Sequence, residues 1–177
     1  MCTPFFLLYY LLPDPLWPGW LGRDPALLLI LAMVFAFELA RLMLGHDIPG
    51  MRPYERDRIS AAAWAALGMS LTFLFFPLEY AAPVFLGMGW VDPLIGELRR
   101  RKSQSYPVLP AIVYFILALS AMSMLIGFGA VVLVASGVAT FLAMTIERMG
   151  SRFVDDDFSM LIVPLVGIWF CFELFPI

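Results

Sequence analysis

The chain reads as an all-α, polytopic membrane protein: a transmembrane helix bundle of about six spans, with a further hydrophobic segment at the N-terminus. Two observations predict this. Of 177 residues, 62% are hydrophobic and only 14% are charged, against about 25% charged in a typical soluble domain. There are too few polar side chains to wet the outside of a water-soluble fold. The apolar residues also fall in continuous runs close to the roughly 20 residues a helix needs to cross a bilayer. They do not alternate as in a lipid-facing barrel, and a helix satisfies its own backbone groups in hydrocarbon. The whole chain, 1–177, is expected to form one integral membrane domain. Residues 1–24 form an interfacial or broken-span segment, and 25–177 form the helical bundle.

The elements follow in order. Residues 1–12 are apolar but lack a basic n-region, and Pro13, Pro15 and Pro18 follow. That is a poor signal peptide, so the segment is interfacial, re-entrant or a broken first span, anchored by Trp17 and Trp20. The first clear span is 25–44 and the second 59–76. The third, 81–98, is shorter and contains Asp92 and Pro93. The fourth and fifth, 107–126 and 130–146, are separated by Gly127-Phe128-Gly129, and the last is 158–175. Cys2 and Cys171 lie at opposite ends of the chain, so a disulfide framework is not expected and both read as small apolar residues.

Six spans place the connections alternately at two ends. One end receives 45–58, 99–106 and 147–157; the other receives 77–80, the Gly127 turn and the termini. Of the eleven basic residues, all but Arg23 lie at or near the first end. Positive charge resists translocation, so that end is expected to be cytoplasmic. Acids share it: Glu55, Asp57, Glu147 and Asp155 to Asp157 mix with Arg99, Arg100, Arg101 and Lys102. A cap of both signs suits Mg²⁺ bound through carboxylates and phosphates bound through cations.

Three segments stand out within this pattern. Asp92 falls inside an apolar run, where a carboxylate costs a few kcal/mol unless paired, hydrated or bound to a cation. With Pro93 after it and Gly87, Gly89 and Gly96 around it, the expectation is a broken helix carrying a metal-binding carboxylate to a polar cavity. The basic run 99–102 ends in the only lysine and continues into Ser103. It reads as a positive anchor or, being near Asp92, as a phosphate site. Asp155-Asp156-Asp157 are three adjacent like charges, which either stand in solvent or hold a divalent cation with a nucleotide. Glu38 and Arg41, at i,i+3 spacing, read as a structural pair. His46, the only histidine, reads as a solvated loop residue. There is no GxxxxGK[ST] phosphate loop, no HExxH, no CxxC, and no internal repeat of the transporter kind.

In this order the features resemble the dolichol kinase, phytol kinase and related CTP-dependent lipid kinase family, itself akin to the phosphatidate cytidylyltransferases. The resemblance covers about 51–166. MRPYERDRISAAAWAALG (51–68) is similar to the family's arginine-and-glutamate loop leading into a small-residue helix. GMGWVDPLIGELRR (87–100) is similar to its glycine–aspartate segment, and Lys102-Ser103 to the start of its Lys-Ser-x-Glu-Gly segment. GVATFLAMTIE (137–147) followed by DDDFSMLIVPL (155–165) is similar to its helix ending in glutamate, then Asp-Asn before an apolar stretch. Trp90 stands where the family has aspartate directly after glycine, with Asp92 two positions on. Ser105 and Tyr106 stand where it has glutamate and glycine.

The resemblance implies a membrane-embedded kinase transferring the terminal phosphate of CTP to the hydroxyl of a prenol or similar lipid alcohol, with Mg²⁺. It implies Asp92, Glu55 and Glu147 as catalytic residues. Arg99, Arg100, Lys102 and Ser103 would meet the nucleotide phosphates, and Asp92, Asp156 and Asp157 the metal. The alternatives are a cytidylyltransferase forming a CDP-lipid and a family member that binds a lipid or a partner without catalysis. The partners expected are the lipid alcohol, CTP and the bilayer, with no nucleic acid.

Overall fold

The computed structural model describes residues 7–16, 19, 21–45, 57–149 and 155–175. Among these there are six α-helices and no strand: α1 Arg23–Leu44, α2 Ala61–Phe75, α3 Leu78–Arg100, α4 Val108–Leu125, α5 Ala130–Met149 and α6 Asp156–Leu174. A 3₁₀ turn, Leu7–Leu11, precedes them.

Local chemistry sets the boundaries. α1 ends at Gly45, whose left-handed φ of 62° lets its N–H bond back to the Arg41 carbonyl. α2 starts at Ser60, whose hydroxyl accepts the Ala63 N–H at 3.3 Å. It stops at the extended Phe76, the conformation a following proline imposes. Pro107 opens α4, Gly127 (φ 107°) turns the chain towards α5, and Asp155 caps α6 through the Asp157 N–H at 3.1 Å.

α3, α4, α5 and α6 pack as a closed ring of four, with α5 on α6 the most extensive interface. α2 lies on α6, and α1 lies on α2 at the outside. The ring's core is Val84, Phe85, Val91 and Ile95 of α3, Tyr114, Ala118 and Met122 of α4, and facing residues of α5 and α6. On α5 the core positions Ala135, Ala139 and Ala143 recur every fourth residue, and small residues let helix backbones approach where lipid supplies no hydrophobic drive. Ser136 and Thr140 return their hydroxyls to the carbonyls four residues back, each at 2.7 Å, so no free polar group remains on those side chains.

α1, α4, α5 and α6 are long and apolar enough to cross a membrane, and α2 is a shorter apolar helix. Their outer faces carry Leu29, Met33 and Phe37 on α1, Ile112 and Ile116 on α4, and Phe170 on α6, all exposed. An apolar surface of this extent calls for lipid rather than water. α3 is the longest helix at 23 residues but is not apolar enough to join those four. It is also heavily covered: Ala81 to Phe85, Gly87, Val91 and Ile95 are all buried.

One expectation is revised here. The third run is not a broken helix: α3 is continuous through Asp92-Pro93 from Leu78 to Arg100. Pro93 withholds one donor, from the carbonyl of Gly89, a loss that a helix packed among neighbours tolerates. Within the N-terminal segment, Leu7–Leu11 forms the 3₁₀ turn, with Tyr9 stacked on Phe73 at 4.6 Å and the Tyr10 hydroxyl donating to the Phe76 carbonyl at 2.9 Å. Trp17 and Trp20 lie outside the described residues.

α1 is tied to the rest at one end by a buried pair. Arg41 meets Glu38 at 2.8 Å and donates to the Arg58 carbonyl at 2.6 Å; Glu38 accepts the Ser60 N–H at 2.6 Å. Arg41→Met is expected to leave Glu38 buried and uncompensated, costing about 3 kcal/mol, read as a lower unfolding midpoint in detergent. Gly87→Ala, whose new Cβ would fall inside contact distance of the Tyr114 ring, is expected to cost about 1–3 kcal/mol. Gly129→Ala meets nothing within 4 Å and should leave the midpoint unchanged.

Candidate functional site

The α3 and α5 C-termini and the α6 N-terminus carry the polar residues singled out above. Glu147, in the last turn of α5, faces Arg99 in the last turn of α3 through two contacts, 2.8 Å and 3.0 Å. This two-pronged pairing fixes the guanidinium plane as well as its charge. Arg99 also donates to the Tyr106 hydroxyl at 2.8 Å and sits over that ring at 5.0 Å. Tyr106 stands just before α4, so this one cation joins the ends of α3, α4 and α5.

Asp92, on α3, and Asp156, first residue of α6, are both close enough to Glu147 for their charges to act on it. Carboxylates from three helices thus act on one another around the Arg99–Glu147 pair. The Glu147 side chain is only 10% exposed, whereas Asp92 and Asp156 are exposed.

The remaining predicted residues are arranged less uniformly. Arg100 turns away to Glu97 at 2.6 Å, with 77% of its side chain exposed, and Arg101 joins the same Glu97. Lys102 follows the helix in a left-handed conformation, φ 50°, and is exposed. Ser103 accepts the Ser105 N–H at 3.2 Å, closing the turn. Asp157 donates its backbone N–H to the Asp155 carboxylate in the first turn of α6. Glu55 lies outside the described residues, as does His46. No group of three or more His, Cys, Asp or Glu among the described residues is gathered tightly enough to hold a metal ion by itself.

Sequence reading missed Tyr106 and Glu97. Glu97 was legible, because its i,i+3 and i,i+4 spacing to Arg100 and Arg101 is the spacing of helical ion pairs. Tyr106 was not, because aromatic residues in so apolar a chain read as lipid contacts.

Compared with known proteins, the chain matches no family model, no curated protein and no solved structure.

Arg99→Met is expected to leave the nearly buried Glu147 without its direct counter-charge and to lower stability by about 1–3 kcal/mol. Arg100→Met, exposed and paired only along its own helix, is expected to stay within about 0.5 kcal/mol. Parallel unfolding titrations in detergent would separate the two.

Proposed function

We propose that the chain is a membrane-embedded kinase that transfers the terminal phosphate of CTP to the hydroxyl of a prenol or similar lipid alcohol. In this reading six helices span the bilayer and the Arg99–Glu147 end faces the cytoplasm. One observation carries it: Glu147 on α5 lies within electrostatic reach of Asp92 on α3 and Asp156 on α6, beside the basic stretch Arg99 to Lys102. The motif order that resembles the CTP-dependent lipid kinases uses these same positions.

The chemistry suits the layout. The alcohol oxygen bonds to the γ-phosphorus, the bond from that phosphorus to the bridging oxygen breaks, CDP leaves and the alcohol proton is released to water. Such a transfer is assisted mainly by positioning and by offsetting charge. Mg²⁺ in phosphoryl-transfer sites takes one or two protein carboxylates and completes its shell with phosphate oxygens and water. Asp92 and Asp156, with Asp157 adjacent, fit that sparse donor set without a preformed three-carboxylate cage. When bound, the ion would offset the charge of the triphosphate. Arg99 holds Glu147 in place, and the exposed Lys102, with Arg100 on release from Glu97, would turn towards phosphate. Ser103 adds a hydroxyl at the turn, and Glu55 enters on the strength of the resemblance alone. The residues offer the alcohol a site at the water boundary, where a bilayer-dissolved hydroxyl and a soluble nucleotide meet.

Purified protein with Mg²⁺, a prenol and CTP labelled at either the α- or the γ-phosphate is expected to place only the γ-label on lipid. An α-label on lipid, given a lipid phosphate, would mark a cytidylyltransferase instead. Asp92→Asn and Asp156→Asn are each expected to lower transfer by about 10²-fold or more and to weaken Mg²⁺-dependent CTP binding. No CTP binding by the wild type, or unchanged binding by both variants, would overturn the assignment.

A further inference from the structure

A groove of 550 Å³ runs between α4 and α5, within the size range of sites that enclose small ligands. Ile112 and Phe115 of α4 and Phe141 and Met144 of α5 line it, with Gly137 at its deep end and Arg148 at its mouth. Thr140 and Thr145 also contribute, but both hydroxyls are committed to backbone carbonyls at 2.7 Å. Below the mouth, the wall therefore presents hydrocarbon.

Two features identify the occupant. The first is depth. Gly137 and Arg148 are separated by eleven helical steps, about 16 Å of rise, which matches one leaflet, half of the ~30 Å hydrocarbon core. The second is that groove and polar site share walls. Tyr106 and Glu147 bind Arg99 on the carboxylate side, while their chain neighbours Pro107 and Arg148 line the groove. A chain lying in the groove would end at the carboxylate cluster.

We infer that the α4–α5 groove holds the hydrocarbon chain of the lipid alcohol, delivering its hydroxyl to the Tyr106–Glu147 end. The inference rests on the kinase reading for the identity of the head group; the fit of a single apolar chain stands on the groove itself. Arg148, exposed at the mouth, is placed to hold the phosphorylated product's anionic head before it leaves.

Gly137 offers a direct test. A Cβ there meets nothing within 4 Å, so Gly137→Phe starts from an open position and adds a ring to the groove. Met33→Phe on the exposed face of α1 adds bulk elsewhere. The probe is geranylgeraniol bearing a diazirine at its tail, photolysed with purified protein in detergent without nucleotide. Adducts are expected on Phe115, Phe141 or Met144, displaced by geranylgeraniol but not by phosphatidylcholine. Displacing two or more buried methylenes lowers affinity roughly tenfold, so Gly137→Phe should cut adduct yield by about that factor and Met33→Phe should not. In the transfer assay, Gly137→Phe should raise KM for geranylgeraniol by a similar factor and leave dimethylallyl alcohol and CTP unaffected. Adducts on other helices, wild-type yield in Gly137→Phe, or equal displacement by phosphatidylcholine would overturn the inference. Groove adducts without phosphate transfer to any alcohol would leave chain binding standing and sink the kinase reading alone.

Discussion

A helix that carries Glu79, Asp92 and Glu97 together with Pro83 and Pro93 cannot face hydrocarbon along its length, and the bundle is arranged around that constraint. α4 and α6 flank α3, and the 3₁₀ turn touches it as well. Its middle is sealed: Ala81 to Phe85 are buried, and Gly87 accepts the Tyr114 ring where a larger residue would not fit. Covering α3 on these faces leaves its C-terminal half, with Asp92 exposed, at the polar end of the ring. Burial of the helix and placement of the carboxylate are thus one packing solution.

The other helices divide the remaining work. α1 and α4 present mostly lipid-type surface and contribute few buried residues. α5 and α6 make the tightest interface through alanines and a close approach at Gly167, against the Leu142 side chain. Because membrane helices associate through fit rather than through the hydrophobic effect, this interface fixes the position of Glu147 relative to Asp156. The Arg99–Glu147 contact then ties α3 to that rigid pair. α1 joins mainly through α2, and the Glu38–Arg41 pair at its end is the polar contact that holds it.

Much of the fold was legible because the signal is coarse. Each of the six apolar runs corresponds to a helix, and hydropathy erred by at most three residues at the ends. α3 begins at Leu78 and ends at Arg100 rather than at 81 and 98, since Glu79 and Arg99 sit on the helix and lower its apparent apolarity. Reading Pro93 as a break failed because proline's cost was judged in isolation, without the neighbours that support the helix. Loop alternation alone placed Glu147 and Asp156 at one end, whereas Asp92 was read from its place inside an apolar run beside Pro93. What alternation does not encode is helical phase. In sequence, Arg99 to Lys102 is one basic block; in the structure, successive 100° steps send Arg99 to Glu147 and Arg100 to Glu97, and the helix ends before Lys102.

The same phase argument bears on what the polar end is for. If the basic block were only an anchor for the inner leaflet, nothing would require one of its members to be held by a nearly buried glutamate from another helix. Nor would that glutamate need two further carboxylates nearby. Repulsion of Glu147 by those two carboxylates is a cost that a purely structural cap would shed by neutral substitution. A transporter site would place such groups near the midplane between repeated halves, whereas Glu147 and Asp156 lie at helix ends beside a leaflet-deep groove. An anionic cluster that tolerates its own repulsion, three residues from loosely held cations, is complementary to a ligand carrying both signs. A metal-bound polyphosphate is such a ligand, and in the proposed function the adjoining groove would hold the lipid that receives its phosphate.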